Sequence, residues 1–246
     1  MARSRKTVGI LAGVTVLVLA IVGFGAWWFF IRDDAPERAN LATAQETLDE
    51  ASGDSSDPAA VDGTWNVDTS VGSFSDFSST WAGYRVSEQL ASIGANTAVG
   101  RTPDVSGSMT VEGNQVTAVD VDVDLTTLQS DSGQRDAAIR GRGLQSDQFP
   151  TASFKLTEPL TLPDAAGDSI TATATGELTL HGVTRPVTVE VQADVSGSTA
   201  AVVGQAPIVL SDYGIEAPTG FSVLSIDENG TFEFQIFFTK AQFLMP

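Results

Sequence analysis

The chain contains no cysteine, so it carries no disulfide, no thiolate metal site, no thiol nucleophile and no cysteine-linked lipid. Its fold must hold by packing. Histidine occurs once, at His181, which excludes a multi-histidine metal site and leaves a serine nucleophile with a single histidine base. No Gly-x-Ser-x-Gly elbow, phosphate-cradling glycine loop or dinucleotide fingerprint accompanies any expected strand. Basic residues are scarce: 13 Lys and Arg stand against 31 Asp and Glu, a net charge of −18. Nucleic acid is bound by releasing counterions through Lys and Arg clusters, and a field of this sign opposes it. No period of internal repetition stands out.

Long uncharged runs are absent with one exception. Residues 8–31, from Val8 to Ile31, carry no charge, and about 20 such residues span a bilayer as a helix. Arg3, Arg5 and Lys6 precede the run, and Asp33, Asp34 and Glu37 come after it. The positive-inside bias then leaves residues 1–7 as a cytoplasmic tail and the remainder outside. Trp27 and Trp28 stand where an interfacial belt belongs. The alternative, a cleaved signal cut near Gly23 or Gly25, would leave Trp27 to Phe30 at a new terminus. The expectation is a single-pass protein of the cytoplasmic membrane with an extracytoplasmic C-terminal domain. Residues 32–62 are rich in Asp, Glu, Ala and Ser. Leu41, Ala44 and Leu48 recur at near-helical spacing, but the stripe is thin, so the segment reads as an acidic linker with transient helix.

From Gly63 to the C-terminus the texture changes to Val, Thr, Phe and Ser in alternation. Gly176 to Val191 is the clearest case: Leu178 and Leu180, then Val187, Val189 and Val191, flank a polar turn at His181. Alternation at period two gives each arm one apolar and one polar face, the mark of a hairpin. Similar runs occur at Trp65 and Val67, at Trp81 to Leu90 with Glu88 the one charge on its apolar face, and at Gly107 to Glu112. Others are Val116 to Thr126, Ala152 to Leu156, Ile170 to Leu180, Val202 to Leu210 and Thr231 to Thr239. Gly113-Asn114 and Asn229-Gly230 are turn signals. About eight mostly hairpin-linked strands indicate an all-β antiparallel barrel or sandwich. One short helix is expected over Asp131 to Gly143, with Asp136 and Arg140 spaced to pair on its surface.

The apolar faces of these strands supply candidate lumen residues: Trp65, Tyr84, Val86, Phe154, Leu156, Leu178, Val189, Phe232, Phe234 and Phe238. Phe74, Phe77, Phe149 and Phe221 are candidates for an entrance. Arg135, Arg140 and Arg142 form a basic island suited either to a polar headgroup or to pairing with Asp131, Asp136 and Asp147. Asp120, Asp122 and Asp124 look like the opening of a calcium loop, but they alternate with valines and lack its glycine, so they read as the wet face of a strand. Asn229-Gly230-Thr231 is formally a glycosylation sequon and is explained as a hairpin turn. His181, with no chemical partner in view, reads as structural.

Together, Trp65-Asn66-Val67-Asp68, Gly100-Arg101 through Gly107-Ser108-Met109, Gln134-Arg135-Asp136, Gln148-Phe149-Pro150-Thr151-Ala152-Ser153-Phe154 and the Gly176 to Val187 hairpin resemble the YceI-like polyisoprenoid-binding family. Asp212-Tyr213-Gly214 fits the same pattern. The resemblance implies a lipocalin-like antiparallel β-barrel of about eight strands with a short helix. It also implies a long-chain apolar lipid, of the polyisoprenoid or isoprenoid quinone type, inside an elongated lumen. A non-enzymatic protein of the bacterial envelope is implied, using no cofactor or metal beyond the bound lipid, which it would store, transport or sense. Many members carry a histidine after the first Trp-x-x-Asp, whereas Thr69-Ser70-Val71 stand here. From the residues alone the alternative is an envelope interaction module with a filled barrel core. A homodimer or an unidentified envelope protein is a further candidate partner, and an enzyme acting on a bound lipid through His181 or carboxylates is a third reading.

Overall fold

The computed structural model describes residues 35–52, 61–92, 94–162 and 169–241. The tail over 1–7 and the membrane helix expected over 8–31 lie outside them. Among the described residues no helix is long and apolar enough to cross a membrane. The elements are α1 (Leu41–Ser52), β1 (Gly63–Asp68), β2 (Trp81–Leu90), β3 (Gly94–Thr102), β4 (Val105–Glu112), β5 (Gln115–Asp124), β6 (Gln129–Ser130), α2 (Gly133–Gly141), β7 (Thr151–Leu156), β8 (Leu160–Thr161), β9 (Ile170–Leu180), β10 (Val183–Ser196), β11 (Thr199–Val209) and β12 (Val223–Lys240). Short 3-10 turns occupy Phe74–Asp76, Leu125–Thr127 and Leu210–Tyr213.

Eight strands close a ring in the order β1-β4-β5-β7-β9-β10-β11-β12 and back to β1, each neighbouring pair antiparallel. Closure removes the unpaired edges that an open sheet would offer to another chain. The ring is not uniform along its length. One edge of β12 pairs with β1 from Phe237 to Lys240 and with β2 from Val223 to Gln235. There β2, β3 and β6 continue the wall, so one end of the barrel is wider than the other. Alternation along the chain does not reveal β3. The Asn229-Gly230 pair also signals a turn, where β12 instead runs straight through, with a register shift between Ile226 and Gly230. The Asn-Gly signal marks a bulge in a bent strand here.

The β9–β10 hairpin forms as its alternation dictates. His181 and Gly182 make its two-residue turn, both at positive φ, 52° and 74°, the mirror-image turn whose twist matches the strands. Inward-facing residues keep one register around the barrel: Tyr84 opposite Phe232, Val121 opposite Phe154, Phe154 opposite Leu178, Ala174 opposite Val189. All ten residues expected on the lumen side lie on this inner face. Asp120, Asp122 and Asp124 point out and are exposed, as their alternation implied, and Asp120 pairs with Lys155 at 3.0 Å.

The stretch expected to be a linker contributes to the fold. Asn40 caps α1, its Oδ1 accepting from the Thr43 amide at 3.0 Å. Leu41, Ala44 and Leu48 bury against Val71, Ala201, Val203 and Phe237 on the outside of the barrel. Phe237 breaks the alternation of β12 because its outward side is also covered. Above the helix, Glu233 lies buried between Arg85 at 3.3 Å and Arg101 at 3.0 Å. Arg85 also donates to the Pro36 carbonyl at 2.5 Å and Arg101 to that of Glu37. The Arg101 guanidinium stacks over Trp81 at 3.8 Å and Phe77 at 4.6 Å.

α2 is shorter at both ends than the expected helix, and Arg140 does not pair with Asp136. Asp136 accepts instead from the Ser130 amide and hydroxyl, at 2.9 and 2.6 Å, tying α2 to β6.

Candidate ligand-binding site

At the wide end lies a cavity of about 480 Å³, within the range of roughly 300–1,000 Å³ that small-molecule sites occupy. The strands contribute Ala82, Tyr84, Val86, Leu90, Ala98, Val123, Ala152, Leu178, Leu180 and Phe232 to its lining; Leu125, Leu128, Leu210 and Ile215 come from the connections, and Ala138, Ile139 and Leu144 from α2 and the turn after it. The lining is predominantly aliphatic. The wall can open here because β2 and β3 are added to it and α2 lies across the end instead of a strand.

Several aromatic rings leave room by lying on glycines. A Cβ on Gly100 would sit 2.4 Å from the Tyr84 ring, one on Gly204 2.4 Å from the Phe234 ring, and one on Gly176 2.5 Å from the Phe154 ring. Each ring covers the glycine directly or diagonally opposite it and stays against the wall. Of the three, only Tyr84 lines the cavity, so at this end an inward aromatic ring lies against the wall and does not fill the lumen.

A compact polar group interrupts the apolar lining. Glu88, buried, accepts from Arg135 at 2.5 Å and from Asn96 at 2.7 Å. Arg135 also pairs with Asp131. Burial works against its charge, but Glu88 and Asp131 more than offset this and raise its pKa above the ordinary guanidinium value. Beside it the Tyr84 hydroxyl is buried with no hydrogen-bond partner among the described residues. Burial pushes this phenol well above its usual pKa, so it stays protonated and able to donate at neutral pH.

The ten expected lumen residues separate into three groups. Tyr84, Val86, Leu178 and Phe232 line the cavity. Trp65 and Phe238 fill the narrow end, 1% and 3% exposed. Phe154, Leu156 and Phe234 pack around Val189, Ala174 and Ala206 at the side of the wall. Between this filling and the cavity is a void of only about 20 Å³, no more than a water. The elongated lumen expected from the resemblance is thus blocked halfway, and the filled-core alternative describes the narrow half alone.

Of the entrance candidates, only Phe221 stands at the mouth, on a loop whose neighbours Gly220 and Ser222 line the cavity. Phe74 and Phe77 pack against each other edge to face at 5.4 Å on the outer wall by Arg101. Phe149 lies against His181, ring centroids 4.3 Å apart, under the β9–β10 turn. Their placement is set by loops that the alternation of strands does not constrain. His181 is 3.0 Å through Nδ1 from the Tyr213 carbonyl, to which it donates. It does not line the cavity, in keeping with a structural role. Of the three arginines of the basic island, Arg135 and Arg142 line the cavity and Arg140 does not. Glu88 and Ile139 are lining residues that the sequence reading misses, although Glu88 is visible in it as the one charge on an apolar face.

The YceI-like domain pattern matches residues 55–238. A UPF0312 protein of Pseudomonas aeruginosa is 34% identical over 141 residues, covering 54% of this chain and 71% of that protein. One from Vibrio vulnificus is 31% identical over 136 residues, covering 52% and 69%. Among solved structures, a polyisoprenoid binding domain from Saccharophagus degradans, implicated in plant cell wall breakdown, superposes with a TM-score of 0.52 at 14% identity, covering 73% of this chain and 99% of that one. Burkholderia cenocepacia BcnA gives 0.50 at 17% identity, covering 64% and 95%. At such identities these two likenesses concern the fold. The eight-stranded closure, the sequence relatives and the matched pattern agree that the chain belongs to the YceI-like domain family.

Proposed function

We propose that the barrel binds an apolar lipid at its wide end, held by burial of its hydrocarbon and oriented by one polar group. The observation that carries this is the 480 Å³ aliphatic cavity with the buried, unpartnered Tyr84 hydroxyl at its wall. Each buried methylene contributes about 0.8 kcal/mol, so a hydrocarbon chain is retained without a polar code. Because Arg135 is already paired with two carboxylates, the polar corner favours a neutral headgroup, a carbonyl or ether that accepts from Tyr84, over an anionic one. An isoprenoid quinone or another polyisoprenoid with a small neutral head fits this description. The polyisoprenoid binding named for the Saccharophagus domain agrees with it.

The blocked lumen sets a limit on the ligand. A long chain would be enclosed only near its head, with the rest leaving through the mouth. The aliphatic lining, in which the buried carboxylate Glu88 is already paired with Arg135 and Asn96, favours carriage, storage or sensing over turnover. Residues 8–31 support the further reading that the domain works at the outer face of the cytoplasmic membrane.

The test is lipid occupancy. Full-length protein purified from bacterial membranes in detergent and washed should retain an apolar lipid detectable by native mass spectrometry. Val86→Trp, which places an indole in the cavity, should remove it. A folded Val86→Trp protein carrying as much lipid as the parent would refute binding at this site.

A further inference from the structure

We propose that the cavity mouth rests on the bilayer to which residues 8–31 anchor the chain, so that a lipid passes between membrane and barrel without crossing water. This rests on the reading of that stretch as a membrane anchor and adds to it an orientation and a contact surface. Among the described residues the exposed large apolar side chains are Phe221, fully exposed, and Leu224, 59% exposed. They stand three apart at the start of β12, on the rim of the mouth. An aromatic and an aliphatic side chain at the lip of an apolar cavity suit insertion into the headgroup boundary.

The same rim carries cations. Arg140 and Arg142, at the end of α2, are exposed and form no ion pair with a described residue. The turn after them lies against the Phe221 loop, since a Cβ on Gly143 would be 3.6 Å from Pro218. Although Asp131 stands at the same mouth, it is paired with Arg135, and the two unpaired arginines leave this face with cations free to meet lipid phosphates.

The path of the N-terminal segment supplies an independent argument. Pro36 contacts Arg85, Glu37 contacts Arg101, Arg38 contacts Gln205 and Gln45 contacts Asp194. In the register of β2, β11 and β12 these contacts descend from the level of the cavity towards the narrow end. The described chain from Pro36 to Gln45 therefore starts at the level of the cavity and runs away from it. The five steps of chain from Ile31 to Pro36 can reach at most about 18 Å. From Arg85 the wall rises through Leu90, five residues or about 17 Å, to the loop bearing Phe221. The two lengths match. If residues 8–31 cross the bilayer, as their lack of charge implies, too little chain is left to hold the mouth away from it.

The absence of cysteine allows a direct test. Phe221→Cys and, at the opposite pole, Asn114→Cys are introduced separately into the full chain. Each is labelled with an environment-sensitive fluorophore and reconstituted into vesicles of phosphatidylethanolamine and phosphatidylglycerol containing spin-labelled lipid. Insertion at the headgroup boundary predicts a blue shift and at least about threefold stronger quenching at 221 than at 114. Joint Arg140→Glu and Arg142→Glu substitution should reduce that difference. Equal, water-like emission at both positions overturns the proposal, as does a chain that fails to float with the vesicles. Flotation with equal emission retains the anchor and rejects the docking, and lipid occupancy measured in detergent reads the cavity separately from both.

Discussion

Tyr84 combines two roles that belong to different parts of one side chain. Its ring lies on Gly100 and completes the wall, while its hydroxyl is buried without a partner among the described residues. A buried donor left unsatisfied costs about 1–3 kcal/mol, a cost relieved when a ligand accepts from it. Tyr84→Phe should therefore leave the melting temperature unchanged or raise it. It should weaken a carbonyl-bearing lipid by about 0.5–1.5 kcal/mol, roughly two- to tenfold, in a displacement titration. Equal affinity for tyrosine and phenylalanine proteins would show that the headgroup lies elsewhere. Glu88 and Arg135 illustrate what sequence conveys at this scale. Glu88 is an anomaly on an apolar strand face and Arg135 one of a basic cluster, but they are 47 residues apart and only the fold makes them a pair.

At the scale of elements, α1 decides whether the barrel's outer wall is complete. Without residues 35–52, Phe237, Ala201 and Val203 lose their cover, and Arg85 and Arg101 lose the carbonyls that help satisfy them around Glu233. Burying Leu41 and Leu48 is worth about 1.5–3 kcal/mol each. A fragment starting at Gly63 should be clearly less stable to urea than one starting at Ala35, and more prone to aggregate. Identical midpoints would make α1 a passive attachment. The spacing of Leu41, Ala44 and Leu48 is plain in the sequence, yet the stripe looks too thin to dock. Three residues do suffice here because their partner is a flat apolar patch on the next layer, which helical periodicity alone does not reveal.

Taken whole, the molecule is a barrel with a solid half and a hollow half, and the two should answer to mutation differently. Phe238→Ala removes a ring from the packed narrow end, and large-to-small changes of this kind cost about 3–5 kcal/mol. The loss should appear in thermal or urea unfolding while the folded protein's lipid occupancy stays at the parent level. Val86→Trp should do the reverse. If Phe238→Ala instead admitted a longer lipid or lowered occupancy, the two halves would form one lumen. The same division orients the chain, since the N-terminal segment enters beside the hollow half and runs towards the solid one.

Much of this is legible in the order of residues. Period-two alternation assigns each strand residue to a face, because successive side chains must point to opposite sides. That rule alone puts Trp65, Tyr84, Leu178, Phe232 and Phe238 inward and Asp120, Asp122 and Asp124 outward. The hairpin at His181 and the lack of a catalytic partner for it are equally plain. What alternation lacks is distance around the barrel. It does not say that β12 pairs with both β1 and β2, that the Tyr84 ring lies on Gly100 against the wall of the open end, or that Trp65 and Phe238 close the other. Faces are a local property of an extended backbone, so the sequence alone is enough to set them. Enclosed space is not local: a cavity exists only where strands far apart in the chain are held apart in the fold, and that is settled by tertiary pairing.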